Sequence, residues 1–168
     1  FNADIEVAKL YKKNRKCYNK LRKVLPKYIV SFPIKKKHIS EAIIHNQKNL
    51  KKITKIIHPA VRANMNVFFK KNKNKRIVVL DVPLLLENKI NKKNYILVFV
   101  DANKKEIYQR LKKRPNFNPK IIKKLKKFQL SLEIKKKRSD FIIKNNFKNN
   151  SIKKNVKRIL KEILSNDW

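Results

Sequence analysis

Two almost continuous runs of β-branched and aromatic residues constrain the fold of this chain more than any other feature. They extend from Arg76 to Asp81 and from Tyr95 to Asp101, and each run ends in an aspartate. Apolar runs without polar alternation are typical of parallel strands that are buried on both faces. A shorter third candidate extends from Phe141 to Ile143. Because helical patterns fill the intervals, the sequence predicts an α/β fold with a parallel sheet.

Helical patterns dominate the chain before the first strand. They extend from Asp4 to about Lys71 and are interrupted around residues 24–38. This region is too long for a simple crossover, so we expect a helical subdomain beside the sheet. Asn118 and Pro119 predict a further helix start, since asparagine is a favoured N-cap and proline suits the first helical position. Residues 151–164 predict a final amphipathic helix.

The charge of the chain is strongly basic, with 47 Lys and Arg against 11 Asp and Glu and a formal net charge of +36. Such a balance favours binding to polyanions through counterion release. The lysines are nevertheless spread along the whole chain, and glycine is absent. This pattern indicates a general compositional drift more than a selected binding patch.

Length and composition exclude several classes of protein. At 168 residues the chain is long enough for one domain with a hydrophobic core and too short for two of ordinary size. A single cysteine, Cys17, excludes an internal disulfide framework. No apolar run approaches the roughly 18 to 20 residues that span a bilayer. We therefore expect a cytoplasmic protein that does not bind membranes.

Four residues lie at or just after the carboxyl ends of the two main predicted strands. They are Asp81, Pro83, Glu87 and Asp101. Ligands of open parallel sheets bind at this edge, so these residues are candidates for substrate contact. The alternative is that the acids are helix caps or ordinary loop residues.

Two further groups of residues have a structural and a functional interpretation. In "HPAVR" a helix that begins at Pro59 would place His58 and Arg62 on one face. The two residues could contact a substrate, or His58 could be an N-cap and Arg62 a solvated arginine. Asp4 lies at a helix N-terminus, where its position alone indicates a capping residue. The basic stretch from Arg110 to Arg138 has few aromatic residues, so a clamp over phosphates explains it as well as nucleic-acid binding does.

The order and spacing of these motifs resemble the dephospho-coenzyme A kinase family from Phe1 to about Asn146. The matching positions are Phe1-Asn2-Ala3-Asp4, His58, Pro59 and Arg62, Asp81, Pro83, Leu84, Leu85 and Glu87, Val100 and Asp101, Arg114, Gln129, and Ser139-Asp140 through Asn145. Four positions depart from the family pattern: Asn2 replaces an acid, Pro115 follows the lid arginine, and Lys144 and Phe147 replace an acid and a glycine.

The resemblance implies a parallel sheet of the P-loop nucleoside-monophosphate-kinase type, with a helical substrate subdomain and a helical lid. We expect one kinase-like domain over residues 1–168. Residues 4–75 would form the helical substrate-binding region and 76–113 the core strands and a helix. Residues 114–139 would form the lid, and 140–168 the last strand and helix.

The family's first strand and glycine-rich phosphate loop precede the matched segment, and a chain without glycine cannot contain that loop. Backbone N–H groups and a lysine of that loop normally hold the nucleotide phosphates. We therefore expect this chain to lack the first strand and the loop, to bind ATP weakly and to turn over slowly or not at all.

The resemblance also implies roles for individual residues. ATP would donate its γ-phosphoryl group to the ribose 3′-hydroxyl of dephospho-coenzyme A, with Mg²⁺ as cofactor and no metal ligand predicted in this chain. Asp4 would orient or accept the hydroxyl proton, and Arg114 would neutralise phosphate charge. The residues implied to bind the acceptor are His58, Arg62, Asp81, Pro83, Leu84 and Glu87. The residues implied to bind ATP or to belong to the lid are Arg114, Gln129, Arg138 and Asn145.

Two other classes of function remain open. A basic nucleic-acid-binding protein would show affinity for RNA or DNA that survives near-physiological salt. The sequence has no zinc-finger spacing, recognition-helix motif or aromatic RNA-binding motif that would support it. A catalytically inactive kinase-like scaffold is the third possibility.

Overall fold

A computed structural model describes residues 1–115 and 117–165 of the chain. The secondary-structure elements, in chain order, are α1 (Ala3–Lys13), α2 (Arg15–Val24), α3 (Lys36–His45), α4 (Lys48–Lys71), β1 (Val98–Ala102), α5 (Lys104–Lys112), α6 (Pro119–Lys126), α7 (Leu132–Lys137), β2 (Phe141–Asn145) and α8 (Asn149–Ser165). They divide between two compact units. The helical unit comprises residues 1–83 and 120–125, and the sheet unit comprises residues 84–119 and 126–168.

The helical unit has a single apolar core to which α1, α2, α3 and α4 all contribute. Leu21 and Ile29 are fully buried within it. Asn14 both ends α1 and begins α2, and its side chain accepts a hydrogen bond from the Cys17 N–H. The helical subdomain predicted before the first strand is therefore present, with its interruption between Val24 and Lys36.

Helix α4 is longer than predicted. A helix was expected to begin at Pro59, but α4 is continuous from Lys48 to Lys71 and Pro59 lies inside it, so that prediction is wrong. Proline removes one backbone hydrogen bond and crowds the carbonyl four residues earlier. Ile57 and Met65, on either side of the proline, are both buried. Packing of this apolar face against the neighbouring helices outweighs the loss at one position.

The first predicted strand, from Arg76 to Asp81, is extended but is not a regular strand. Its only strand pairing among the described residues is a parallel bridge between Asp81 and Asn2. Three backbone hydrogen bonds support the bridge: Phe1 N donates to Val79 O at 2.8 Å, Asp81 N to Phe1 O at 2.8 Å, and Ala3 N to Asp81 O at 2.9 Å. The prediction of a full strand here is wrong, because its partner segment becomes helical at Ala3.

The sheet unit contains a two-stranded parallel sheet in which Val98 pairs with Phe141 and Ala102 with Asn145. Phe141 and Ile143 of β2 are buried against Ile159 of α8. The second and third predicted strands are thus present, and α6 begins at Pro119 as expected.

The prediction that β1 is buried on both faces is wrong for this structure. Val98 and Val100 are 41% and 55% exposed. A parallel strand is buried on both faces only where other elements cover it. In the sheet unit α8 packs on β2 and leaves these β1 side chains open.

Candidate active site

Asp4 lies in the first turn of α1 but does not cap the helix. The N-cap is Asn2, whose side chain accepts a hydrogen bond from the Ile5 N–H at 2.9 Å. The capping interpretation of Asp4 is therefore wrong. Its side chain is exposed, and its carboxylate has no hydrogen-bond or ion-pair partner within residues 1–115 and 117–165. The carboxylate is thus available to a ligand.

Asp81 is held beside the N-terminus of α1. Asn2 Nδ2 donates a hydrogen bond to Asp81 Oδ2 at 2.7 Å, in addition to the backbone bridge between the two residues. A second carboxylate at position 2 would lie at hydrogen-bond distance from Asp81 and would repel it. The neutral amide of Asn2 avoids this repulsion and donates instead. The helical unit therefore brings Asp81 and Asp4 to the same end of α1.

His58 and Arg62 lie one turn apart on α4, as the sequence predicted for their spacing. His58 is half-buried and Arg62 is exposed. Helix α4 packs along α1, since Asn64 Nδ2 donates to Glu6 Oε2 at 2.9 Å and the rings of Phe1 and Phe68 are 5.6 Å apart. The arginine is thus on the helix adjacent to the one that carries Asp4. Pro83, the last residue of the helical unit's main segment, is exposed.

Glu87, in the sheet unit, is far more enclosed than a solvated loop acid. Its side chain is 9% exposed, and its Oε1 atom accepts hydrogen bonds from Lys135 Nζ at 2.7 Å and from the Leu130 N–H at 3.0 Å. Burial by itself would raise the pKa of this carboxyl. The hydrogen bond from Lys135, backbone N–H donors and the lysine's charge outweigh that effect, and the pKa lies below its usual value. Glu87 is therefore ionised and joined to α7.

Leu84 begins the turn that carries Glu87. Its carbonyl accepts hydrogen bonds from the Asn88 backbone at 3.1 Å and from Asn88 Nδ2 at 2.8 Å, and its side chain is half-buried. These two hydrogen bonds stabilise the turn from Leu84 to Asn88.

The three predicted lid residues Arg114, Gln129 and Arg138 are all exposed, and each follows the end of a different helix. Arg114 follows α5, Gln129 follows α6 and Arg138 is the C-cap of α7. Within residues 1–115 and 117–165, no hydrogen bond or ion pair joins the side chains of these three residues to one another. An exposed guanidinium after a helix remains accessible to a phosphate.

The predicted lid is also anchored at two separate places. Lys124 of α6 donates from Nζ to the carbonyl oxygens of Ile43 and Ile44, at 3.2 and 2.5 Å, near the C-terminus of α3 in the helical unit. A cation is favoured there because carbonyl groups at a helix end lack partners. Helix α7, by contrast, belongs to the sheet unit and is attached to Glu87.

Asn145 lies at the end of β2, next to a cleft that sequence reasoning missed. Its Oδ1 atom accepts the Phe147 N–H at 2.8 Å, and Phe147 has a φ of 60°. Arg110 lies over the Phe147 ring with its guanidinium carbon 3.9 Å from the centroid. Both residues line a cavity of about 290 Å³ together with Glu106, Gln109 and Lys113. The cleft offers an aromatic face, two cations and an acid to a ligand.

For Lys135, Lys136 and Asn2, no individual structural role was predicted from the sequence. A run of lysines on a helix gives no local signal for which members meet an acid. The capping role of Asn2 did have a local signal, since asparagine is favoured at an N-cap. In the family motif the residue expected to act is Asp4 and not Asn2.

The described residues contain neither a metal-binding cluster nor a membrane-spanning helix. Within residues 1–115 and 117–165, no three His, Cys, Asp or Glu side chains converge as a metal site would require. None of the described helices has an apolar stretch that could cross a membrane.

Comparison with known proteins decides the family. The family model described as dephospho-CoA kinase matches residues 1–153 of the chain. The chain belongs to the dephospho-CoA kinase family. The prediction of an ATP-dependent phosphotransferase of coenzyme A biosynthesis is thereby confirmed at the level of the family.

Curated relatives support the same assignment. A dephospho-CoA kinase from Wolbachia pipientis wMel is 34% identical over 145 residues, which cover 85% of this chain and 74% of the relative. Another from Bartonella quintana is 29% identical over 168 residues and covers 99% of this chain and 86% of the relative.

Among solved structures, the crystal structure of TT1252 from Thermus thermophilus matches with a TM-score of 0.70 and 20% identity. The match covers 98% of this chain and 82% of that chain. At this identity the likeness bears on the fold, and it confirms the predicted fold class.

Proposed function

We propose that the protein transfers the γ-phosphoryl group of ATP to the ribose 3′-hydroxyl of dephospho-coenzyme A, with Asp4 as the residue that orients or accepts the hydroxyl proton. The observation that carries this proposal is the exposed carboxylate of Asp4 at the start of α1, which has no partner in the part of the chain that the structure describes. A general base must be free to reach the proton that it abstracts. Capping by Asn2 leaves Asp4 free for that role.

Arg62 and His58 of α4 are the proposed acceptor-binding residues, together with Asp81, Pro83 and Leu84. Arg62 is exposed on the helix next to the one that carries Asp4, where a guanidinium is available to a phosphate of the acceptor. Asp81 keeps one carboxylate oxygen on Asn2, which fixes the orientation of the other.

Arg114 is the proposed catalytic cation, and Gln129, Arg138 and Asn145 are the proposed ATP-binding residues. Phosphoryl transfer depends mainly on positioning and on neutralisation of phosphate charge. Arginine serves this purpose because its planar fork donates two parallel hydrogen bonds and remains charged. Mg²⁺ would be held chiefly by the nucleotide phosphates, as is usual for this ion, and it would neutralise their charge. The predicted cytoplasmic location remains a prediction.

The test is formation of coenzyme A from dephospho-coenzyme A and ATP by the purified chain, followed by chromatographic separation of the two thiols. Turnover is expected to be slow, because a chain without glycine cannot form a glycine-rich phosphate cradle. Asp4→Asn should lower the rate by about 100-fold or more, since a positioned general base typically contributes that much. The dissociation constant for dephospho-coenzyme A should change little.

Glu41→Gln is the matched control, because it removes one exposed helical carboxylate from α3 with the same change of charge. Its rate should equal that of the unsubstituted chain. A near-normal rate for Asp4→Asn would show that Asp4 is not the base, and absence of detectable binding of dephospho-coenzyme A to the unsubstituted chain would contradict the proposed function.

A further inference from the structure

Three consecutive lysines on α7 have three different environments. Lys135 Nζ lies 2.7 Å from Glu87 Oε1, and Lys136 Nζ lies 2.8 Å from Asp101 Oδ2. Lys136 Nζ is also 5.9 Å from the centroid of the Phe99 ring. Lys137 is exposed and forms no ion pair among the described residues. The first two lysines therefore attach α7 to acids of the sheet unit, and the third does not.

The pair between Glu87 and Lys135 is well shielded from water. The two side chains are 9% and 17% exposed, and the Leu130 N–H donates to the same carboxylate oxygen at 3.0 Å. An ion pair in this setting is screened less than a surface pair, and removal of one partner leaves the other charge buried and unpaired. The other oxygen, Oε2, is buried and receives no hydrogen bond from any described residue. Glu87 is thus directed towards α7 and away from solvent.

Helix α7 has little else to hold it in place. It contains six residues, none of which is buried. A helix of this length is marginal by itself, because so few hydrogen bonds repay the cost of its nucleus. Leu132 and Ile134, its apolar residues, are 39% and 41% exposed. Ion pairs are therefore the main attachment of α7 to the sheet unit.

We propose that Glu87 and Asp101 form an acidic latch that seats α7 through Lys135 and Lys136. Glu87 is accordingly a positioning residue: it acts on the reaction through α7, whose C-cap is Arg138. The part of this inference that concerns Arg138 rests on the proposed function, which assigns that residue to ATP. The part that concerns the seating of α7 does not.

Hydrogen exchange of the α7 amides, measured by NMR or mass spectrometry, tests the latch directly. The informative amides are those of Lys135, Arg138 and Ser139, which donate to the carbonyl oxygens of Ser131, Ile134 and Lys136, respectively. Lys135→Met should accelerate their exchange by about tenfold or more, because it leaves Glu87 buried without its cation. Lys136→Met should have a smaller effect, of a few fold, because this pair is more exposed.

Lys137→Met is the matched control, since it removes the same charge from the same helix without breaking an ion pair. Its exchange rates should stay within about twofold of the unsubstituted chain. Glu87→Gln should accelerate exchange of the α7 amides to a similar extent as Lys135→Met. In the variant that carries both substitutions, these amides should exchange no faster than in whichever single variant exchanges faster. Equal effects of the three lysine substitutions, or additive effects of Glu87→Gln and Lys135→Met, would overturn the latch.

Kinetics of the same variants then separate positioning from direct contact. If Glu87 acts through α7, Glu87→Gln and Lys135→Met should lower turnover by similar factors and leave the dissociation constant for dephospho-coenzyme A within about twofold. Weaker acceptor binding in Glu87→Gln alone would overturn the positioning role. The hydrogen-exchange experiment does not depend on turnover. A failure of the proposed function can therefore be distinguished from a failure of the latch.

Discussion

The helical unit and the sheet unit differ in the interactions that stabilise each of them. The main core of the helical unit has 13 buried residues, among them Leu21 and Ile29, which are fully buried. The buried cluster of the sheet unit contains three: Phe141, Ile143 and Ile159. Its described polar contacts include Glu87 with Lys135, Asp101 with Lys136, and Asp140 with the Leu97 N–H.

This contrast shows how one lysine-rich chain uses its few acids. Apolar burial is non-directional and needs no partner of opposite charge, so the core of the helical unit does not depend on its acids. The sheet unit has less apolar surface to bury, and it engages Glu87, Asp101 and Asp140 in ion pairs and hydrogen bonds. We expect substitutions of apolar residues to be most damaging in the first unit and substitutions of acids to be most damaging in the second.

The largest expected effect comes from the core of the helical unit. Leu21→Ala should lower the free energy of unfolding by about 2 to 5 kcal/mol, because it removes a fully buried side chain and leaves a cavity. Urea unfolding followed by far-ultraviolet circular dichroism measures this change. Ile143→Ala in the sheet unit should cost less, since few buried neighbours surround it. An equal or larger cost for Ile143→Ala would break the comparison.

The next effect concerns the dependence of stability on pH. The pKa of Glu87 is lower in the folded protein than in the unfolded chain, so its ionised form stabilises the fold. This contribution is complete above the unfolded pKa of about 4.5 and is lost as the pH falls through the lowered folded pKa. At pH 7 the chain should exceed Glu87→Gln in stability by about 1.5 to 3 kcal/mol, as for hydrogen bonds to charged groups.

Unfolding curves of the chain and of Glu87→Gln between pH 3 and pH 7 measure that difference. The difference in the free energy of unfolding between the two proteins should become smaller on acidification only below about pH 4.5. A gap that is constant over the whole range would show that the ionisation of Glu87 does not hold α7.

A smaller effect is expected at the start of β2. Asp140 Oδ2 accepts the Leu97 N–H at 2.7 Å, and the Asp140 N–H donates to Leu97 O at 2.8 Å. Asp140→Ala should lower the free energy of unfolding by about 1 kcal/mol, since it removes one exposed hydrogen bond from a backbone donor. Asp140→Asn should cost less than half of that, because the amide oxygen still accepts. Thermal unfolding distinguishes the two variants, and equal losses would show that charge matters more than the hydrogen bond.

The smallest effect is expected from an exposed ion pair. Arg158 and Glu162 on α8 are 61% and 45% exposed, and their closest atoms are 3.4 Å apart. Arg158→Ala should change the free energy of unfolding by less than about 0.5 kcal/mol, as is usual for exposed pairs on a helix. A loss that approaches that of Asp140→Ala would mean that surface ion pairs in the sheet unit are stronger than their exposure indicates.

Particular residues show where prediction from the sequence succeeded. The apolar runs from Tyr95 to Asp101 and from Phe141 to Ile143 contain or overlap β1 and β2, since β-branched and aromatic residues suit a pleated surface. Pro119 marked the start of α6. The motif order identified the family, because the spacing between motifs is a property of the chain alone.

Other residues show where prediction from the sequence failed. Pro59 was read as a helix start by local rules, and burial of Ile57 and Met65 overrides those rules. The segment from Arg76 to Asp81 has the composition of a strand, yet strand formation requires a partner, which only the fold can supply. The site residues proposed for dephospho-coenzyme A and ATP remain predictions.

By itself, the sequence determined the α/β class, the family and the excess of positive charge, because each depends on residue type and spacing. The tertiary structure decided which acids are free and which are engaged. Asn2 and not the exposed Asp4 caps α1, and Glu87 is enclosed because Leu130 and Lys135 contact it from a distant part of the chain. Lys135, Lys136 and Lys137 are identical in sequence terms and differ only in what the fold places opposite each ammonium group.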